Sequence, residues 1–457
     1  MNNPLITARE ARTLAGLAVP MTGVALVNMG MSITDTVMMG WISPMALATG
    51  AVISDLYSII FYFLGGILGA VSPLLAQALG AGRVEEVRPT LHNAFAMAAV
   101  IAVPAAAGVA LLPVVLGVFG VDREIIALGG GYALGLALTV VPMIFATVWR
   151  HAFYAIGRPR VYLTAVLMLL PLNALADYVL MFGWGPVPAF GLAGAGFASA
   201  LVAIGLVAYF AWFTVRDPAF RAFGLFTGSW EIDPSTLRRI LRLGLPIGAT
   251  TLGEVGIYLL STVIISLFGV LALAAHAIAL RFAGVLYAVF VGLAHATTVR
   301  VGYAVGRADI EQTRTAIRTA ITTGTAIGLL ILAVTNGWSS AIPWLFLDSA
   351  DPSANEVAAT ASGLLMLLGI MNAAQGPASP ATAVLRAFKD TRAPMGHYLI
   401  GYWLVGLPVG CIAAFPLGYE SEGVWFGLAT GMITTAVLVT MRLLRYNGSP
   451  ATVDSPA

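Results

Sequence analysis

Residues 271–304 read LALAAHAIALRFAGVLYAVFVGLAHATTVRVGYA, thirty-four consecutive positions whose only charges are Arg281 and Arg300. A helix crossing the hydrocarbon layer of a bilayer needs about 20 mainly apolar residues, and this stretch exceeds that. Working outward from it gives twelve such windows, the first at 14–39 and the last at 422–443. Inside lipid every backbone polar group must find its partner within its own segment, so such windows form helices. Of the 457 residues 59% are apolar and only 10% charged, against about 25% charged in soluble proteins. A water-soluble fold is excluded, and the expected class is an all-α polytopic membrane protein with twelve transmembrane helices.

Charge placement sets the orientation. Lys and Arg collect on the cytoplasmic side of membrane proteins, and with the N-terminus inside, 21 of the 23 cationic residues fall in inside segments. The two others are Arg123, between Asp122 and Glu124 in an outside loop, and Arg281 within the eighth span. The expectation is a multi-pass protein of a bacterial inner membrane with both termini cytoplasmic and its first span retained, since that apolar segment is too long for a signal-peptide core. The single Cys411 excludes a disulfide framework or a Cys-rich metal site, and no basic run suits nucleic acid. The bilayer is the expected surrounding, and the chain is expected to be a monomer.

The chain repeats itself. MALATGAVISD (45–55) aligns with LALAAHAIALR (271–281) at an offset of 226, and LAVP (17–20) with LGLP (243–246) at the same offset. The register continues with small gaps through WRHAFYAIGRP (149–159) against LRAFKDTRAP (385–394). Each half carries six spans, an even number, so both enter the membrane in the same sense. Two six-helix bundles, 1–215 and 243–457, are expected, joined by a cytoplasmic linker over 216–242 and related by a pseudo-two-fold axis along the membrane normal. Such duplication is the usual architecture of a secondary transporter working at a site near the bilayer middle.

Ionisable groups inside lipid cost from about 3 to more than 10 kcal/mol and mark function by default. Here they are Asp35, Asp55, Asp177, Glu254 and Arg281. Asn173 and Asp177 stand four apart, on one helical face, and depth in the membrane permits Asp35 and Ser199 to join them. That oxygen cluster suits either a sodium ion, held by Asp35, Asn173 and Asp177, or a proton shared between carboxyls. Glu254 lies mid-span between Gly253 and Gly256, where the helix is thin enough for a ligand or for close packing. Asp55 and Arg281 share one repeat position and could pair as an outer gate or each face water. His276 and His295 are cavity candidates or packing residues. Tyr57, Phe61 and Tyr287 recur at near-helical spacing, as packing aromatics or as a cavity lining for a flat organic cation. No Gly-x-x-x-x-Gly-Lys-Ser/Thr, Gly-x-Ser-x-Gly or His-Glu-x-x-His sequence occurs, which argues against ATP-driven transport and against an enzyme. No cofactor is expected beyond Na+ or H+ as coupling ion.

Three segments carry a family likeness: GRPRVYLTAVLMLLPLNALADYVLMFG (157–183), LALAAHAIALRFAGVLYAVFVGLAHATTVRVGYAVGRAD (271–309) and LRAFKDTRAPMGHYLIGYWLVGLPVG (385–410). They resemble the multidrug and toxic compound extrusion (MATE) family in its bacterial NorM-like branch. The resemblance implies a multidrug efflux antiporter, a xenobiotic transporter exporting small cationic, aromatic or lipophilic compounds against inward Na+ or H+. It places the N-lobe cation site on Asp35, Asn173, Asp177 and Ser199, where a threonine is usual, and matches Glu254 to the family's seventh-helix acid. The tenth-helix acidic position falls on Gln375 and the aromatic a turn earlier on Met371, which weakens a C-lobe sodium site and shifts coupling to the N-lobe. Arg281 and His295 stand where this branch commonly has amides. A lipid-linked saccharide flippase of the related fold is the alternative, but it calls for a strongly cationic cavity, and Arg281 is the only embedded base.

Overall fold

The computed structural model describes residues 4–446. Twelve helices are long and apolar enough to cross a membrane: α1 (Ala8–Ile42), α2 (Pro44–Gly80), α3 (Val84–Ala110), α4 (Arg123–Ala155), α5 (Pro159–Phe182), α6 (Leu192–Arg216), α7 (Pro234–Ser266), α8 (Val270–Gly306), α9 (Ile310–Gly337), α10 (Ala354–Ala387), α11 (Arg392–Ala414) and α12 (Glu420–Leu444). The described residues form no β-strand, only an isolated bridge between Trp184 and Val187. The protein is therefore an all-helical, multi-pass membrane protein, as its hydropathy requires.

Helix ends follow local chemistry. Ser43 caps α2 by accepting the Ala46 N–H at 3.0 Å, with Pro44 in the first turn, and Asp122 caps α4 through the Glu124 N–H at 2.8 Å; both supply a side-chain oxygen to an otherwise orphaned donor. Asp233 opens α7 by accepting from the backbone N–H and the hydroxyl of both Ser235 and Thr236, bonds that hold its carboxyl well below the usual carboxylate range. Residues 234–242, read from sequence as linker, are thus the first turns of α7. Helix α11 is irregular: Arg392–Tyr398 and Leu407–Ala414 are α-helical, and Leu399–Gly406 between them is π-helical.

The helices gather into two compact units, one of residues 23–248 and one of residues 1–22 with 249–457. The boundaries fall inside α1 and α7, not in the linker, and they are 226 residues apart, the period of the sequence repeat. Each unit therefore includes the N-terminal part of the other half's first helix. The reason is a pair of repeat-related close approaches. A Cβ on Gly66 would lie 2.5 Å from Gly248 Cα, and one on Gly292 would lie 2.6 Å from the Thr22 nitrogen. Only glycine lets α2 and α8 approach these backbones, the small-residue packing that membrane helices use in place of a hydrophobic drive.

The loop after the fourth helix of each half carries the same lock with its charges exchanged. Arg158 pairs with Asp217 at 2.5 Å, whereas Asp390 receives Arg442 at 2.9 Å and the Tyr446 hydroxyl at 2.7 Å. In both loops the residue just before the lock has positive φ, Gly157 (78°) in one and Lys389 (64°) in the other. The linker is strapped to the start of α3. Asn93 donates to Glu231 O at 3.3 Å and accepts the Asp233 N–H at 2.9 Å, and the His92 and Trp230 rings stack at 4.3 Å.

Candidate functional site

In the unit of residues 23–248 the acids meet deep in the helices. Asp177 is fully buried and Asn173 is 4% exposed, both on α5. The Asn173 amide nitrogen donates to Asp177 Oδ2 at 2.5 Å and to Asp35 Oδ1, from α1, at 3.4 Å. The Asp35 and Asp177 carboxyls interact directly. The other Asp177 oxygen, Oδ1, is buried with no hydrogen-bond partner among the described residues. A buried carboxylate oxygen left unsatisfied, with a second carboxylate beside it, calls for a proton or a cation.

Ser199 is half-buried on α6, and among the described residues no hydrogen bond joins it to these three. The cluster's fourth neighbour is Tyr132 on α4. Its hydroxyl shares a 2.7 Å bond with Ser54 and lies within electrostatic reach of both aspartates. Sequence reading missed Tyr132 because its partner lies 78 residues away. Tyr57 and Phe61 stack at 5.9 Å along α2, with Tyr57 in electrostatic range of Tyr132.

In the other unit Glu254 on α7 is 9% exposed. The Tyr287 hydroxyl from α8 donates to its Oε2 at 3.1 Å, and the Gln375 amide from α10 lies alongside. Arg386 and the tyrosines Tyr258, Tyr398 and Tyr402 lie within electrostatic range of the same acid. Tyr287 remains 40% exposed, so the acid's open side is edged by an accessible aromatic ring. With glutamine in place of a second acid, this site holds one carboxylate with neutral donors around it. Met371 is 2% exposed and belongs to the apolar core.

Asp55 on α2 is exposed in one unit, and Arg281 on α8 is exposed in the other. His295 is half-buried on α8. His276 is completely buried: Nδ1 accepts the Trp425 indole N–H at 3.0 Å, and Nε2 bonds Thr262 Oγ1 at 2.9 Å. Indole only donates, so Nδ1 carries no proton and Nε2 carries the hydrogen. That fixes a neutral tautomer tying α7, α8 and α12 together.

Twelve helices able to cross a membrane, arranged as a repeated six with acids sunk within the spans of both halves, fit the architecture of a secondary transporter. The MatE family profile matches residues 20–179 and 246–412. A relative described as "Probable multidrug resistance protein NorM" from Agrobacterium fabrum is 34% identical over 436 residues, 94% of this chain and 92% of its own length. The protein of the same description from Pseudomonas putida is 32% identical, covering 94% and 93%. Among solved structures, the eukaryotic MATE transporter AtDTX14 superposes with a TM-score of 0.85 at 18% identity, covering 96% of both chains. The Vibrio cholerae MATE transporter VcmN in its bent form gives 0.80 at 21%, covering 97% and 99%. The chain belongs to the MATE family; it is a transporter and not an enzyme.

Proposed function

We propose that this protein is a multidrug efflux antiporter of a bacterial inner membrane, working as a monomer with both termini in the cytoplasm. It exports small cationic, aromatic or lipophilic compounds against an inward cation. The relatives' names support the multidrug reading, and the asymmetric distribution of Lys and Arg supports the orientation.

The observation that carries the mechanism is the Asp35–Asn173–Asp177 cluster with its unsatisfied Asp177 Oδ1. The Asn173 amide donates its N–H to both carboxylates, an arrangement ready for two carboxyls that share a proton, whereas a sodium ion that took the amide oxygen as a ligand would need that amide reversed. The coupling ion of this reading is therefore a proton held between Asp35 and Asp177, with Tyr132 beside them. Glu254 takes the positive charge of the organic cation, whose ring lies against Tyr287. Proton and drug favour different states, so entry of one expels the other. The membrane potential adds about 2.3 kcal/mol per charge per 100 mV.

Dye efflux from proteoliposomes under separately imposed gradients tests this. Accumulation driven by a pH gradient without sodium is the expected result, and transport that requires a sodium gradient would overturn the proton assignment.

A further inference from the structure

Trp403 lies in the π-helical stretch of α11, and its geometry bears on Glu254. Its indole N–H donates to the backbone oxygen of Gly253, the residue before Glu254, at 3.0 Å. A helical carbonyl has two lone pairs; one serves the N–H a turn later, and the other is open to a side chain where no Cβ screens it. The ring lies close along the glycine strip of α7. A Cβ on Gly253 would stand 3.6 Å from Trp403 Nε1, and one on Gly256 would stand 3.2 Å from Cζ2. Leu399 completes the contact, 3.3 Å from the same Gly253 position.

The π-helical turns make this contact possible. π-turns are rare, weakly bonded and concentrated at functional positions. Here the Tyr402 hydroxyl donates to Met432 Sδ of α12 at 3.1 Å while its ring meets Tyr258 of α7, and the Trp403 indole bonds the α7 backbone directly. The stretch is anchored by Gly401 and Gly406. A Cβ on Gly401 would lie 2.6 Å from Gly431 O, and one on Gly406 would lie 2.8 Å from Gly427 O, so α11 rests directly on the backbone of α12. Trp403 is therefore fixed from α12 and grips α7 where the helix is thinnest.

We infer that Trp403 is a positioning residue: its hydrogen bond to Gly253 sets the height and rotation of α7 at Glu254, and so aims the carboxylate at the cationic substrate. This rests on the role given to Glu254 above.

The test is efflux kinetics of a cationic aromatic dye in proteoliposomes containing the full chain. Trp403→Phe keeps the ring and removes the donor. It is expected to raise the apparent KM about threefold to tenfold, the scale of one lost hydrogen bond, with the maximal rate within about twofold. Gly256→Ala, which pushes the ring outward without altering the donor, is expected to raise KM in the same direction. In a Glu254→Gln background, itself expected to raise KM, neither change is expected to add further. A Trp403→Phe effect that persists undiminished beside Glu254→Gln, or one that lowers the maximal rate with KM unchanged, or no effect, would overturn the inference alone. Glu254→Gln with an unaltered KM would instead overturn the role of Glu254, and this inference with it.

Discussion

At the residue scale the two units treat their acids differently. Asp177 has one oxygen bonded by Asn173 and the other left bare among the described residues, whereas Glu254 sits among neutral donors from Tyr287 and Gln375. A buried carboxylate that loses a donor forfeits about 1–3 kcal/mol. Asn173→Ala is therefore expected to lower ion-driven efflux at least about fivefold in proteoliposomes, at unchanged membrane insertion. His276 gives the opposite expectation. Its ring nitrogens are both committed, to Trp425 and Thr262, so His276→Phe is expected to cost about 1–3 kcal/mol of stability. That loss is read as a lower thermal midpoint, with no change in the pH profile of transport. A pH profile that moved with His276→Phe would mean the ring carries protons.

At the element scale, much was legible in the sequence and the exceptions have physical causes. Hydropathy located all twelve helices because a lipid-spanning segment cannot disguise its composition, and Asn173 with Asp177 was readable because four residues restore the same helical face. Ser199 was placed by depth, which fixes a height along the helix axis but not the direction around it. Tyr132 offers no local pattern, since its bond to Ser54 is made across two helices. The π-helical stretch of α11 is invisible because α- and π-turns share one residue composition. The start of α7 was hidden by its arginines, which read as loop although the Asp233 cap nucleates a helix there. The strap on α3 yields a prediction. Asn93→Ala removes both side-chain bonds to the linker and is expected to speed tryptic cleavage near Arg221 in detergent. In the native protein this protection is expected to hold from pH 5 to pH 9, because the Asp233 cap stays ionised throughout that range. Its folded pKa is depressed, so what it contributes is complete above about pH 4, the unfolded value, and is lost only as pH falls further. Protection lost near neutral pH would contradict that assignment.

At the scale of the whole molecule, the sequence repeat and the two units share a period but not their boundaries: the duplication starts with α1 and α7, and the units divide within them. The inner parts of those helices are held by repeat-related glycine crossings. Gly66→Ala and Gly292→Ala are accordingly expected to destabilise the purified protein by a similar amount, about 1–3 kcal/mol each, the usual cost of overpacking. Thermal unfolding followed by tryptophan fluorescence checks this, and loss in one variant alone would mean that the two crossings are not equivalent. The duplication is of backbone more than of chemistry. One unit holds a buried carboxylate pair, and the other a single carboxylate beside an accessible aromatic ring.

In the mechanism proposed above, Asp35 and Asp177 hold the ion that the drug displaces. The most direct measurement is the proton released when a cationic dye is added to purified protein in weakly buffered detergent solution. Release on dye binding from the native protein, and its loss in Asp35→Asn with the fold intact, is the predicted result. Equal release from Asp35→Asn, or dye binding with no release from the native protein, would contradict the account.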